Sequence, residues 1–495
     1  MTDSGRRGFD PLNPFHTAED DLFGEPVDTA GRAEDDDEDL VVDLDEGRDT
    51  AAELAAVERE LNARWPETTL EPSLDRISAL VDLLGSPQRG YPVVHVTGTN
   101  GKTSVARMVD ALLHRLGLRT GRYTSPHLQA VTERISLDGV PIAPGRYVDT
   151  YRDVAPYLPL VDAANPVPLS KFEVLTAMAF AAFADAPVEA AVVEVGMGGT
   201  WDATNVVDGT VAAITPIGVD HVEYLGADIL GIAREKAGII KPGSIAVLAD
   251  QQPEVLRVLL ERCAEVDATV AREGMEFGVL AREVAVGGQQ LRLQGLGGVY
   301  PDVFLPLHGA HQAANAALAL ATVEAFFGAG ASRRLDLEAV AEGFAAVRSP
   351  GRLERLRASP AVFTDAAHNP HGARALATAL RDEFTFRRLV AVVATLDGKD
   401  ARGILGELEP VVDEVVVTRN SSPRSADLDA LAAAAVEVFG ADRVNVESRL
   451  ADAVDAAIEA AEELTGDQLA GSAVVITGSV VTAGDARGLF GKEPG

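Results

Sequence analysis

A chain of 495 residues exceeds what one hydrophobic core organises, so two or more domains are expected. Hydrophobic residues make up 47% and charged residues 24%, which is soluble globular composition, and a formal net charge of -33 repels nucleic acid and anionic membranes. The lone cysteine, Cys263, excludes an internal disulfide framework and fits a reducing compartment, so a cytoplasmic location is expected.

Residues 1–50 contain "AEDDDEDLVVDLDEG" and read as a disordered acidic tail. The first residues have no apolar signal core, and no apolar run reaches the length of a membrane span. From residue 51 the pattern alternates. "AAELAAVERELNARW" and "SLDRISALVDLLG" have helical period. The run "YPVVHVT" then ends in "GTNGKTS" and a helix-compatible segment. "AAVVEVG", "TVAAITPIG" and "SIAVLAD" read as buried strands, with "FEVLTAMAFAAFAD" and "DILGIAREKAGII" as helices among them. Residues 271–307 read as small β elements and "HQAANAALALATVEAFFG" as a long helix of small residues. "RSPG" breaks the rhythm, which restarts with "AVFTDAAHNPHGARALATAL" and "LVAVVATLDGKD". Alternation of this kind predicts an α/β fold built on parallel sheets. The expected organisation is a first domain at 51–347, a linker at 348–352 and a second domain at 353–495.

"TGTNGKTS" has the parts of a phosphate cradle. Gly98 and Gly101 let backbone N–H groups approach phosphate oxygens, Lys102 supplies a point charge, and Thr103 and Ser104 supply hydroxyls for Mg²⁺ at a helix N-terminus. The spacing is a variant of the Walker pattern, since Val96 stands where its first glycine would be. A nucleotide site needs a carboxylate near the metal. Glu194 ends a buried strand, and ligands of parallel sheets collect at strand C-termini. Ser125 and His221 follow strands in the same way, so the three can converge on one cation. Only six residues are lysine, and Lys236 falls in "REKAG". It is either a solvated helix lysine or a buried one, whose neutral amine can take up CO₂ to give a carbamate that ligates like a carboxylate.

The segments "TGTNGK", "YTSPHL", "FE", "EVGMGG", "WDATN", "DHVEYLG", "REKAGI", "GRLE" and "DAAHNPHG" occur in this order. Together they resemble the folylpolyglutamate synthase/dihydrofolate synthase family of the Mur ligase superfamily, over residues 55–490. The resemblance implies a P-loop ATPase domain followed by a smaller Rossmann-like domain, with ATP, two Mg²⁺ ions and substrates in the cleft of a monomer. It implies that Gly98, Thr99, Asn100, Gly101, Lys102, Thr103 and Ser104 cradle the triphosphate, with Asn315, Arg352, Asp365 and His368 as further ATP contacts. It makes Ser125, Glu194 and His221 metal ligands, and Lys236 a carbamylated lysine. It sets the pteroate against Glu71, Pro72 and Ser73, against Ser170, Lys171, Phe172 and Glu173, and against Trp201, Asp202 and Ala203. On spacing alone Phe172 fits a core position as well as a pteridine wall.

The chain departs from the pattern at three places. Thr103 stands where the family has Gly, so either Thr103 or Ser104 can meet the metal. Thr200 stands where the family has Arg beside "WDATN", and the acidic tail has no counterpart. The implied activity is ATP-dependent amide formation, adding L-glutamate to dihydropteroate, to reduced folate, or to both, through an acyl phosphate. The alternatives are a Mur-type ligase acting on another acid and a nucleotide-binding switch without turnover.

Overall fold

Short runs of β-branched residues and alanine build the strands, and their alternation sends side chains into two cores. In the first sheet Val94, Val96, Ala190 and Val192 enter one core, while Val93, Ala191 and Val193 enter the other. The computed structural model describes residues 49–65, 72–220, 222–328, 333–463 and 471–495. The predicted acidic tail therefore lies, but for its last two residues, outside the described residues. Asp49–Gly495 hold together as one unit.

The first sheet has eight strands: β1 (Val93–Thr97), β2 (Thr120–Tyr123), β3 (Ile135–Leu137), β4 (Val140–Pro141), β5 (Ala190–Glu194), β6 (Gly209–Ile214), β7 (Ile245–Leu248) and β8 (Thr269–Arg272). Their order is β4-β3-β2-β5-β1-β6-β7-β8. The run from β2 to β8 is parallel, and β3 and β4 add an antiparallel edge. β1 thus lies between β5 and β6 at the centre, and the loops after these strands share one end of the sheet.

The glycine-rich 271–307 stretch forms the end of β8 and a separate antiparallel sheet of β9 (Gly278–Ala285), β10 (Gly288–Gln294) and β11 (Val299–Leu305). The small-residue helix Ala310–Phe326 packs beside the helix Lys102–Arg115 in the core that Val94 and Val96 enter. Its alanines allow that close approach.

A second sheet follows, of β12 (Glu354–Ala358), β13 (Ala361–Thr364), β14 (Arg388–Val393), β15 (Glu414–Val417), β16 (Val444–Val446) and β17 (Ser472–Thr477). Its order is β12-β13-β17-β14-β15-β16, parallel except for β12. It repeats the alternation: Leu389, Ala391 and Val393 face one core, Val390 and Val392 the other. The loops at one end of this sheet face the loops after β1, β5 and β6 across a cleft.

Candidate active site

The phosphate loop is shaped by two glycines that no other residue replaces. Gly98 has φ +142°, and a Cβ there would lie 1.8 Å from Thr215 Oγ1. Gly101 has φ +90°, and its Cβ would lie 2.7 Å from Asn315 Oδ1. The helix Lys102–Arg115 begins with no side-chain cap, so its first-turn N–H groups are open to an anion. Thr99 anchors the loop: its hydroxyl donates to Gly218 O at 2.9 Å and accepts from Gly218 N at 3.0 Å. The Lys102 ammonium folds over the loop, on Gly98 O at 3.2 Å and Thr99 O at 3.1 Å.

Thr103 and Ser104, equivalent on paper, part in the structure. Thr103 Oγ1 donates to both oxygens of Glu194, at 2.9 and 3.0 Å. Ser104 is buried, 3.3 Å from Gln312 Nε2 and 3.4 Å from Ser349 Oγ. Glu194 also accepts from the Ser125 backbone. Burial pushes the Glu194 pKa up, while Lys102, Thr103, Arg352 and Ser125 pull it down. The Glu194 carboxylate and the Thr103 hydroxyl are hard oxygen donors and fit Mg²⁺, which keeps several waters and uses few carboxylates, while Ser125 lines the same cleft and meets Glu194 through its backbone. No group of three or more His, Cys, Asp or Glu gathers around a metal-sized point among the described residues. His221 lies outside the described residues.

Lys236 is buried, with 4% of its surface exposed, on the helix Ile229–Ala237. Its Nζ donates to Gly98 O at 2.8 Å, so it props the phosphate loop from beneath. Burial and the nearby Lys102 push its pKa down to about 7, against the pull of Asp220, Asp202 and Glu235. The same helix holds the loop after β5. Thr200 N and Oγ1 both donate to Glu235 O, at 3.0 and 3.1 Å. Thr200, which departs from the expected pattern, is therefore a tether between the loop after β5 and the Lys236 helix.

The cleft has a volume of about 1000 Å³. Pro72, Ser73, Ser170, Phe172, Glu173, Trp201, Asp202 and Ala203 all line it. Several of these are already engaged. Ser170 and Glu173 form a capping box on the helix Lys171–Asp185, and Glu173 also pairs with buried Arg76 at 3.0 Å. Asp202 accepts from Met197 N at 2.8 Å and from Thr204 N at 3.0 Å. The half-buried Phe172 ring lies beside Tyr123 and so close to Gly196 that a Cβ there would lie 2.5 Å from Cζ. Lys171 turns aside instead: its ammonium donates to Asn62 Oδ1 at 2.8 Å. Glu71 lies outside the described residues. Trp65 and Arg76 line the same wall and were not foreseen. Trp65 sits at the end of a predicted helix, and only its unusual size for a surface helix end could have marked it.

The opposite wall carries Arg352, Asp365 and His368, and Asn315 faces the loop. Asp365 accepts from Leu353 N and Ala367 N, each at 2.8 Å, and burial raises its pKa. The unforeseen part is a polar network across the cleft. Asn100 and Asn369 exchange amide hydrogen bonds at 3.3 and 3.2 Å. Asn369 Nδ2 donates to Asp220 at 2.9 Å, and Lys399 Nζ reaches Asp220 at 2.7 Å. His368 Nε2 lies 3.4 Å from Asp220. Asp220 and Asn369 stand inside motif segments, so their neighbourhood was visible, but their pairing depends on two distant loops meeting.

Residues 163–323 match the Mur ligase middle domain, and residues 351–480 match the Mur ligase glutamate ligase domain. The dihydrofolate synthase/folylpolyglutamate synthase of Mycobacterium tuberculosis is 61% identical over 90% of this chain and 96% of its own. A solved Mycobacterium tuberculosis folylpolyglutamate synthase complexed with ADP superposes with a TM-score of 0.87 at 60% identity, covering 90% of this chain and all of that one. The E. coli FolC in complex with DHPP and ADP gives a TM-score of 0.77 at 30% identity, covering 89% of this chain and 98% of that one.

Proposed function

The chain belongs to the dihydrofolate synthase/folylpolyglutamate synthase family of ATP-dependent ligases, and from that premise we propose that one cleft joins L-glutamate both to dihydropteroate and to reduced folates. The observation that carries this reading is that Trp65, Phe172 and Trp201 line the same cleft as the phosphate loop, where Thr103 meets Glu194. Aromatic side chains of this kind suit a fused ring.

The substrate carboxylate attacks the γ-phosphorus of ATP, giving an acyl phosphate and ADP. Lys102 offsets the growing charge on the phosphate oxygens, and Arg352 adds a planar cation from the far wall. The amine of L-glutamate then attacks the acyl carbon, phosphate leaves with its electron pair, and the amine loses its proton. Thr103, Glu194, Ser125 and His221 would hold Mg²⁺, with a carbamate on Lys236 as a ligand for a second ion, and the metal would supply charge neutralisation among the phosphates. Asn315, Asp365 and His368 take the nucleotide side of the cleft. Arg424 lines the C-terminal wall and is offered to the carboxylates of the incoming glutamate.

The division at 348–352 into an ATP-binding and a C-terminal domain belongs to this reading, as do a cytoplasmic location and a monomer. No helix among the described residues is long and apolar enough to cross a membrane. The test is ADP release with Mg-ATP and L-glutamate, comparing dihydropteroate with tetrahydrofolate, with mass analysis of products. Both are expected to gain one glutamyl residue per ADP. Turnover of only one would confine the enzyme to that step. Tight ATP binding with turnover of neither would overturn the reading.

A further inference from the structure

A second cavity, of about 870 Å³, opens beside the cleft. The two share Val481, and their walls are continuous in sequence: Ser125 and Pro126 line the cleft and His127 lines the cavity, as do Ser422 and Ser421 respectively. The cavity therefore begins next to the residue that meets Glu194, where an activated carboxylate would lie.

Its chemistry is that of a carboxylate receptor. Arg419 and Arg449 both line it, in a chain of net charge -33. Their ion-pair partners, Asp427 and Asp452, are each 3.8 Å away and largely exposed, too far for a hydrogen bond. An arriving carboxylate can therefore compete for both guanidinium groups. His127 Nδ1 accepts from Arg134 Nε at 3.0 Å, so Nε2 carries the proton of the neutral ring and is a donor. The one carboxylate in the lining, Asp485, is held by Ser421 N and Oγ at 2.7 and 2.8 Å.

Resting on the proposed function, we propose that this cavity receives the α-carboxylates of the γ-glutamyl tail when an already elongated folate returns as substrate. Each added residue leaves one α-carboxylate between the pteridine wall and the reacting end. Those charges need a cationic lining outside the pteridine and nucleotide positions, and Arg419 and Arg449 provide it. The acceptor L-glutamate offers the same α-carboxylate chemistry, so the test separates the two sources.

The full chain and its Arg419→Gln, Arg449→Gln and double variants would be assayed on dihydropteroate and on tetrahydropteroyl mono-, tri- and pentaglutamate. The KM of the pentaglutamate is expected to rise about tenfold for each arginine lost, the size of one charge-assisted contact, with kcat held. Dihydropteroate kinetics stay within about twofold of wild type, the monoglutamate with its single α-carboxylate loses less than the pentaglutamate, the KM of L-glutamate is unchanged, and rising salt raises the wild-type KM of the pentaglutamate. Equal losses at every tail length, no loss at any length, or a raised KM for L-glutamate alone would each overturn the proposal. A wild-type chain that extends no pteroyl substrate overturns the ligase reading itself, and this proposal with it.

Discussion

Lys102 and Thr103 stand side by side on the first turn of one helix but have different tasks. In the proposed reaction Lys102 brings charge to the phosphate oxygens, so Lys102→Ala is expected to lower kcat/KM by about 10³-fold or more while leaving thermal stability near wild type. Thr103 faces Glu194 and Ser104 faces Gln312. Thr103→Val is therefore expected to raise the Mg²⁺ concentration needed for half-maximal rate, while Ser104→Ala changes it little; the reverse order would assign the metal to Ser104. In the chain without a carbamate, the free amine of Lys236 gives a pH signature. Its folded pKa, about 7, lies below its unfolded value, so between the two the unfolded chain holds the extra proton. Stability should thus rise with pH from about 7 towards 10, by at most about 1.4 kcal/mol per unit, and Lys236→Met should flatten that slope. Denaturant titrations across this range at fixed temperature check it. The bend at the glycines and the place of Lys102 at the head of its helix were legible in the sequence because both are local. Ser170 and Glu173 were half legible: the segment was noticed, but the capping box and the Arg76 pair that occupy them depend on packing that spacing does not encode.

At the scale of elements, buried polar groups fix turns that the strands alone would leave loose. Glu324, on the helix Ala310–Phe326, accepts from Leu296 N, from Gly297 N at 2.9 Å and from Tyr300 Oη at 2.8 Å. It ties that helix to the β10–β11 turn. Glu324→Ala strands these donors in the interior and is expected to cost about 3 kcal/mol in urea unfolding, with ATP affinity unchanged. Tyr300→Phe should cost about 1 kcal/mol. The strand-and-helix rhythm of both sheets could be read directly, since all-apolar runs and 3.6-residue periods are strong signals. Strand order was not legible, because the position of β1 between β5 and β6 is set by which helices cover which face.

Across the whole molecule, the cleft joins loops from both sheets through Asn100, Asn369, Asp220 and Lys399. The Asp220 side chain is nearly buried, so removing the ammonium closest to it leaves its charge less compensated by Asn369 and His368 than by the full set. Lys399→Met is expected to lower kcat at least tenfold while ADP still binds, because the nucleotide loop survives but its alignment with the far wall does not. Equilibrium binding and steady-state rates on the same preparation separate these effects. The central claim is that a substrate carboxylate becomes an acyl phosphate between the two walls. It is tested most directly with dihydropteroate carrying ¹⁸O in its carboxylate, ATP and L-glutamate, followed by mass analysis of the inorganic phosphate. One ¹⁸O per phosphate released is the predicted result; phosphate without label would contradict the account.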